Sequence, residues 1–445
     1  MNRVDGCYAD PVKGLKYRWT EPLVGEEVSV LSGNLPPLLS RLLRARGIET
    51  EHDAEKYLYP RLNHMHDPLL LPDMGKAAER LVKAVRNKER IVIYGDYDVD
   101  GVTSTAILYH AICCADPDAN VRTYVPHRLD EGYGLNDEAM RTLAGEGTDL
   151  LVTVDCGISA VASAQLACDL GMDLIITDHH SLPGDGELPP AYARVHPRLP
   201  GSQYPFGDLC GAGVAFKLAW SFAVVWCGNE RVSTAFRELL LECLPLAALG
   251  TVADVVPLLD ENRTIVSVGL SRIRQSRLEG VQALINVSDL KGEKIDSYKV
   301  GFVLGPRLNA CGRMGHAKEA IELLTTAKGK RAEEIANRIN NLNKKRQQTE
   351  RQILNTAVKM AEEQNLVSGN SRIIALAHED WHPGVVGIVC SRMVDRYRRP
   401  TILMGRDGDI CTGSARSIPG FSIYDALAGV SDNLLTYGGH EMAAG

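Results

Sequence analysis

Acidic and imidazole side chains fall in four short clusters that could together hold divalent cations: DYDVDG at residues 96 to 101, Asp155, DHH at residues 178 to 180, and Asp254. Asp96, Asp98 and Asp100 stand at alternate positions after IVIYG, the kind of apolar run that a sheet buries on both faces. Carboxylates this close repel one another unless a cation neutralises them. The same residues also read as a turn and an N-cap for a helix starting near Val102, and DYDVDG alone leaves both readings open. The other clusters weigh toward metal. Asp155 closes LLVTVD, with Gly157 permitting close backbone approach, and Asp178, His179 and His180 close LIIT, although a histidine pair can also be bonded within a loop. Carboxylate with imidazole suits Mn²⁺, Zn²⁺ or Fe²⁺, whereas oxygen ligands alone would suggest Mg²⁺ or Ca²⁺. Two ions about 3.5 to 4 Å apart, bridged by a shared carboxylate, suit in-line attack on phosphorus, so the reaction class leans to phosphoester hydrolysis.

A phosphoester substrate needs groups that bind phosphate, and three loops offer them: PRLNACGRMGHA with Arg307, Asn309 and Arg313; GSARSIPG with Ser414, Arg416 and Ser417; and GGH with His440. Arginine beside small hydroxyls and glycines lets a guanidinium fork and exposed N–H groups share an anion. Loops of this composition are also commonly plain turns. A further cation run, from Lys328 through Lys330, Arg331, Arg338, Lys344, Lys345 and Arg346 to Arg351, is either a solvated face or a track for a nucleic-acid backbone.

Positioning these groups falls to an α/β fold. IVIYGD, VRTYVP, LLVTVDCG and LIITDHH are short runs rich in β-branched residues, alternating with helix-like stretches such as GVTSTAILYHAICC, and this alternation predicts βαβ units and a parallel sheet. Three of the strands end in the acidic and imidazole groups. Ligands of open α/β sheets bind beyond the carboxyl ends of the strands, so the three sets should converge on one crevice. Helical periodicity covers residues 34 to 88, residues 205 to 249 read as apolar helix, and GTVADVVPL reads as a tight turn holding Asp254. A single long helix is expected over 328–365, with Ile335, Ile339, Leu342 and Ile353 on one stripe, and RIIALAHED and TILMGRDG again read as strands. The implied organisation is a helical N-terminal extension (1–88), a parallel-sheet domain (89–327), a connector helix (328–365) and a smaller α/β domain (366–445).

At 445 residues the chain exceeds what one core usually organises, which agrees with several domains. It has no apolar run long enough to span a bilayer, no apolar leader segment near the start, and eleven cysteines without a CxxC pair, all pointing to a cytoplasmic protein with reduced thiols and no membrane partner. The formal charge of −7 gives no global attraction to nucleic acid, so a polyanion must be held locally or through metals.

DYDVDG, VDCG, DHH and GTVADVVPL, in this order, resemble the four signature motifs of the DHH phosphoesterases. DPLLLPDMGKAAERL, EGYGLN, PRLNACGRMGHA, WHPGVVGIVCSRMVDRY, GSARSIPGF and GGHEMAAG narrow the resemblance to the RecJ-type single-stranded-DNA exonucleases, over roughly residues 34 to 445. The resemblance implies a DHH domain and a DHHA1 domain around the connector helix. It implies 5′→3′ exonuclease activity on single-stranded DNA that releases 5′-mononucleotides, in DNA repair and recombination. It implies two ions of Mn²⁺ or Mg²⁺, with a single-strand-binding protein and a helicase as partners. Asp96 would hold the first ion and Asp98 the second, Asp155 would bridge them, His179 and Asp254 would complete the second site, and His180 would face the first ion or the scissile phosphate. Asp98, Asp155 and His180 are thereby the catalytic group. Arg307, Asn309, Arg313, Ser414, Arg416, Ser417 and His440 fall in matching substrate motifs, and Arg128, ahead of EGYGLN, is a further phosphate contact. Two departures matter. Some relatives carry histidine where this sequence has Tyr94, which would leave the first ion one ligand short. RecJ-type enzymes also continue past GGHxxAAG into an oligonucleotide-binding fold, whereas this chain stops at Gly445. Two alternatives share the motifs: a relative cutting short oligonucleotides, cyclic dinucleotides or pyrophosphate, and a replication scaffold that has lost its metal ligands.

Overall fold

The computed structural model describes residues 35–445 except 129, 185, 229, 230 and 369, together with the backbone of 12–13 and 18–19, which pair as a short antiparallel ladder. The first 34 residues of the expected N-terminal extension otherwise lie outside the described residues.

Five parallel strands form the first sheet: β1 (Ile91–Gly95), β2 (Val121–Tyr124), β3 (Leu150–Val154), β4 (Asp173–Thr177) and β5 (Ala193–Val195), in the order β2-β1-β3-β4-β5. Register sets Gly95 beside Val154 and Val154 beside Thr177, so the chain leaves three adjacent strands at one level. Side-chain alternation divides the apolar runs between two cores. Ile91, Ile93, Leu150 and Val152 face the larger core, with helices α3 (Met74–Arg86), α4 (Val99–Ala115), α7 (Gly211–Cys227) and α8 (Thr234–Ala253). Val92, Tyr94, Leu151 and Ile176 face the smaller one, covered by α5 (Asp137–Gly145) and α6 (Val161–Asp169). The helices α1 (Pro37–Arg44) and α2 (Glu51–Leu58) precede α3, as the periodicity predicts.

The reading of GTVADVVPL as a turn needs correction. Residues 250–253 continue α8, and Asp254 is its C-cap. Gly250 is tolerated because the helix passes close to α4 there: a Cβ at that position would lie 2.4 Å from Asp100 Oδ1. Tertiary packing thus overrides the low helix propensity of glycine. Val255 then turns into the left-handed region at φ 60°, a strained conformation for a β-branched residue, and the helix stops.

After α9 (Asp260–Arg272) and α10 (Gly305–Met314), α11 runs unbroken from Gly329 to Glu363. Ile335 and Ile339 of its first half are buried in the larger core. Ile353, Ala357 and Ala361 of its second half are buried in the core of the C-terminal domain, so one beam belongs to both. That domain carries a mixed sheet of β6 (Ile374–His378), β7 (Thr401–Asp407), β8 (Ile410–Arg416), β9 (Gly439–His440) and β10 (Ala443–Ala444), ordered β9-β10-β8-β7-β6, against α12 (Pro383–Tyr397). Between the two cores α11 buries polar groups: Arg346 donates to Glu350 at 2.7 Å and to Asn343 at 2.5 Å. Arg331 and Arg338 pair with Glu322 and Glu319, so part of the expected cation track is consumed within the fold. No helix among the described residues is long and apolar enough to cross a membrane.

Candidate metal centre

Three adjacent strands deliver the ligand-type residues to one place. Asp96 follows β1, Asp155 follows β3, and His179 and His180 follow β4, while the end of α8 brings Asp254 from the opposite side. His179 Nε2 lies 3.2 Å from Asp155 Oδ1 and 3.6 Å from Asp254 Oδ2. Asp96, Asp98 and Asp155 form a second group whose oxygens all lie within 4.8 Å of one another. Asp155 belongs to this group and also to one with His179 and His180, while Asp254 falls in a third with Asp100 and His179.

Asp98 satisfies both readings left open by the sequence. One of its oxygens accepts the Asp100 and Gly101 N–H groups at 2.8 and 3.1 Å, capping α4, and the same carboxylate belongs to the acidic group. Asp155 sits at φ 63°, in the left-handed region, where a non-glycine residue is held only by its surroundings. Its neighbour across the site is the first residue of α7. A Cβ on Gly211 would fall 2.5 Å from Asp155 Oδ1, so only glycine lets the helix end approach this closely.

The electrostatics call for cations. Burial, and then the charge of Asp98, hold the Asp96 carboxyl well above its ordinary proton affinity. Burial and the neighbouring Asp100, Asp98 and Asp96 do the same to Asp155. Burial with Asp100 and Asp98 pushes Asp254 up to about 8. Burial lowers the His179 imidazole, which favours the neutral form that binds metal. Most telling, Asp96 Oδ1, Asp155 Oδ1 and His179 Nε2 are buried polar atoms without a hydrogen-bond partner. A buried acceptor left unsatisfied costs about 1–3 kcal/mol, and more when charged. Divalent cations are the species that would satisfy these atoms, Asp96 and Asp155 in one group and Asp155 and His179 in the other, so the donor set fits the implied metals.

Around this core stands a layer that fixes it. Both Asp100 oxygens are used, accepting the Gly211 and Ala212 N–H groups at 2.6 and 2.9 Å at the start of α7. Asp178 accepts N–H groups from Ile158 (2.9 Å), His179 (2.7 Å) and His180 (3.1 Å), as well as His180 Nδ1 at 2.7 Å. Burial alone would raise Asp178, but these bonds, chiefly from His180, bring it down to about 2. Burial would likewise lower His180, and Asp178 outweighs it, raising the imidazole to about 9. Asp178 thus favours the protonated form of His180, whose Nδ1 is tied back to it. The Tyr133 hydroxyl lies 3.1 Å from that ring and 3.2 Å from the Asp155 carbonyl oxygen, to which it can donate.

Tyr94 reaches away from the centre. Its hydroxyl donates to the Gly134 carbonyl oxygen at 2.8 Å and accepts from Asn136 at 3.2 Å, so it anchors the EGYGLN loop that carries Tyr133. It offers the centre no ligand.

Facing the centre is a cleft of about 910 Å³, bounded by Tyr133, Ser159 and His180 on the sheet side and by Gly420, Ser422 and His440 on the C-terminal domain. Arginines near Asp96 and Asp98 sense one another. Burial, and then the charges of Arg128 and Arg346, bring Arg313 down to about 10, and burial with Arg128 lowers Arg416. Arg313 donates to the Gly384 carbonyl oxygen at 3.2 Å, and Arg416 lies beside Ser414 over Gly387. Arg128 stacks over the Tyr97 ring at 4.9 Å. Three residues expected at the substrate are occupied within the fold. Arg307 donates to Val303 and Asn340, Asn309 accepts the Val99 N–H at 3.0 Å, and Ser417 donates to the Phe421 carbonyl oxygen at 2.6 Å.

The model of the DHH family N-terminal domain matches residues 90–251, and that of the DHHA1 domain matches residues 370–445. The chain is 37% identical over 438 residues to the single-stranded-DNA-specific exonuclease RecJ of Escherichia coli, covering 94% of this chain and 73% of that protein. The chain belongs to the RecJ family. It is also 44% identical over 414 residues to RecJ of Bacillus subtilis, 93% of this chain but only 50% of the relative. Among solved structures, RecJ of Thermus thermophilus in complex with Mn²⁺ superposes with a TM-score of 0.77 at 33% identity, over 92% of this chain and 56% of that one. The chain thus spans about half the length of two of the RecJ proteins it resembles.

Three RecJ-family residues acquire roles here that their sequence positions did not reveal. Asp100 joins α4 to α7, Asp178 orients His180, and Tyr133 bridges His180 and the Asp155 backbone. Asp178 could have been suspected from its place in DHH. Tyr133 had a weaker signal, the flanking Gly132 and Gly134, which both adopt positive φ.

Proposed function

We propose that this chain is a metal-dependent, single-stranded-DNA-specific 5′→3′ exonuclease that hydrolyses phosphodiesters to 5′-mononucleotides. The observation that carries the reading is the pair of buried, unpartnered ligand atoms Asp155 Oδ1 and His179 Nε2, facing each other at 3.2 Å, in a centre whose Asp96 and Asp98 feel the charges of Arg128 and Arg313. Asp96 with Asp98 and Asp155 would hold one cation, and Asp155 with His179 and Asp254 the other, as Mn²⁺ or Mg²⁺. Bound there, divalent cations supply Lewis acidity toward the phosphoryl oxygens and lower the pKa of water.

The chain's own groups do the rest. Asp155 is the only carboxylate common to both ligand groups, and so sets their relation. Asp178 fixes His180 through Nδ1, so a protonated His180 could donate from Nε2 to a phosphoryl oxygen or to the departing oxygen. Arg313, Arg416 and Arg128, with Ser414 and His440, would bind the terminal phosphate, which would fix polarity. Arg307, Asn309 and Ser417 would support this surface through the bonds already described. Cys156, Cys210, Cys243, Cys311 and Cys390 are buried thiols, which suits a cytoplasmic setting. A role in repair and recombination beside a single-strand-binding protein and a helicase completes the reading.

Digestion of 5′- and 3′-labelled single strands, with duplex and dinucleotides alongside and Mn²⁺ added, tests it. Release of 5′-mononucleotides from the 5′ end of single strands is expected, and Asp155→Ala should abolish it. Preferential cutting of dinucleotides would favour the short-substrate alternative, and no Mn²⁺ binding at all would favour a scaffold.

A further inference from the structure

The residues ahead of α10 present two aromatic rings to solvent. Tyr298 is 66% and Phe302 70% exposed, yet their ring centroids lie 4.7 Å apart with planes inclined by 31°, so they stack on each other in the open. Isolated exposed apolar side chains need no explanation. A preformed pair of exposed rings does, because each leaves a large apolar face in water. Phe302 sits on a widened π-helical turn, Val300–Leu304, and Tyr298 on the short helix Ser297–Lys299 that leads into it; the π-helical geometry recurs at functional sites.

Two observations tie this turn to the metal centre. It packs on the end of α8: a Cβ at Gly301 would meet Val252 Cγ1 at 3.9 Å, and one at Gly305 would meet Ala253 Cβ at 3.8 Å. Val252 and Ala253 directly precede Asp254, and the next residue, Val255, is 86% exposed. The turn also runs straight into α10, whose far end carries Arg313, near enough to Asp98 to feel its charge. Arg307 braces the join by donating to the Val303 carbonyl oxygen at 2.7 Å and to Asn340 on α11 at 3.1 Å.

Resting on the nuclease reading above, we propose that Tyr298 and Phe302 form a stacking platform for a base of the substrate strand downstream of the scissile bond. Bases of an unpaired strand expose π-faces that aromatic side chains bind without regard to sequence. From Phe302 to Arg313 along the helix is roughly 16 Å at 1.5 Å per residue. At about 3.4 Å per stacked nucleotide, that distance places the platform about five nucleotides from a phosphate held by Arg313. A paired base would have its faces covered by its neighbours, so the platform also favours single strands.

The test uses the full chain in EDTA, so that strands stay intact, and short 5′-phosphorylated single strands carrying 2-aminopurine at one position at a time. Fluorescence quenching should peak about five nucleotides from the 5′ end. In the double variant Tyr298→Ala/Phe302→Ala the peak should vanish and affinity should fall about tenfold or more. Tyr298→Trp/Phe302→Trp should keep both. Because the side chains are exposed, Mn²⁺ binding and the melting temperature of the variants should match the parent, which separates the effect from misfolding. An unchanged quenching profile and affinity in the alanine variant overturns the platform and assigns the pair to a protein contact. If Mn²⁺ restores cutting of single strands yet no position is quenched, the platform falls and the nuclease stands. If quenching is seen but nothing is cut, the nuclease reading falls and the platform stands. A parent chain that neither binds nor cuts overturns both.

Discussion

Gly211→Ala tests the geometry of the metal centre without removing any ligand. The new methyl carbon would lie 2.5 Å from Asp155 Oδ1 and 2.6 Å from its Cβ and Cγ, against normal carbon contacts of about 3.5–4.0 Å. Roughly 1 Å must be found, and neither side gives easily. Asp155 is 2% exposed and left-handed, with its N–H on the Thr177 carbonyl oxygen at 3.0 Å. The end of α7 is held by Asp100 through two N–H groups. Overpacking of this kind destabilises by about 1–3 kcal/mol. The functional effect should be larger, since a displacement of about 1 Å in a catalytic group can lower a rate about 100-fold. The assay is mononucleotide release from a 5′-labelled strand, with Mn²⁺ affinity from titration and stability from urea unfolding. Gly145→Ala serves as the control: it lies at the exposed end of α5, where a Cβ meets nothing within 4 Å. That change should be neutral or slightly stabilising. A Gly211→Ala protein with parental rate and Mn²⁺ affinity would refute the argument that close approach of α7 fixes Asp155.

Other expectations concern charge. The Asp254 carboxyl is raised in the fold to about 8, so its ionisation destabilises the metal-free protein as pH climbs from about 4 through 8. Asp254→Asn should therefore melt higher than the parent at pH 9 in EDTA, with the gap closing below about pH 4 and the order reversing in Mn²⁺; equal melting curves at all pH values would count against it. In Asp178→Asn, burial is no longer opposed, and an NMR titration of the metal-free protein should find the His180 pKa well below 9. The stability that the raised imidazole contributes is complete below about pH 6.5 and is lost as pH rises through about 9, so the variant's deficit from this group should shrink over that window. Far from the site, Lys217 and Glu261 form an ion pair with both side chains 0% exposed, and Lys217 also donates to the His66 carbonyl oxygen at 2.6 Å. Lys217→Met should lower unfolding free energy by about 3–5 kcal/mol, because it strands a buried carboxylate, and adding Glu261→Gln should recover much of that; a single variant as stable as the parent would show the pair to be dispensable.

How much of this could be read without a structure depends on the range of the cause. IVIYG, LLVTV and LIIT declare buried parallel strands because each has neighbours on both faces, and the placement of acids just after them follows from strand periodicity. The long helix over 328–365 was equally legible, since nothing in it breaks the repeat. Motif order identified the family. What the sequence could not say is which groups have spare bonding capacity. Asp98 and Asp100 look alike in DYDVDG, yet one reaches the acidic group while capping a helix and the other spends both oxygens on α7, more than a hundred residues away. Arg307 and Arg313 stand six positions apart in one motif. Only the second faces the arginine cluster, because the first braces a π-helical turn. Tyr94, where a metal ligand might have stood, instead secures the loop that brings Tyr133 to His180. Local sequence determined the elements and the chemistry available at their ends. The assignment of each side chain to ligand, cap or brace was decided by contacts between segments distant in sequence, which no local pattern encodes.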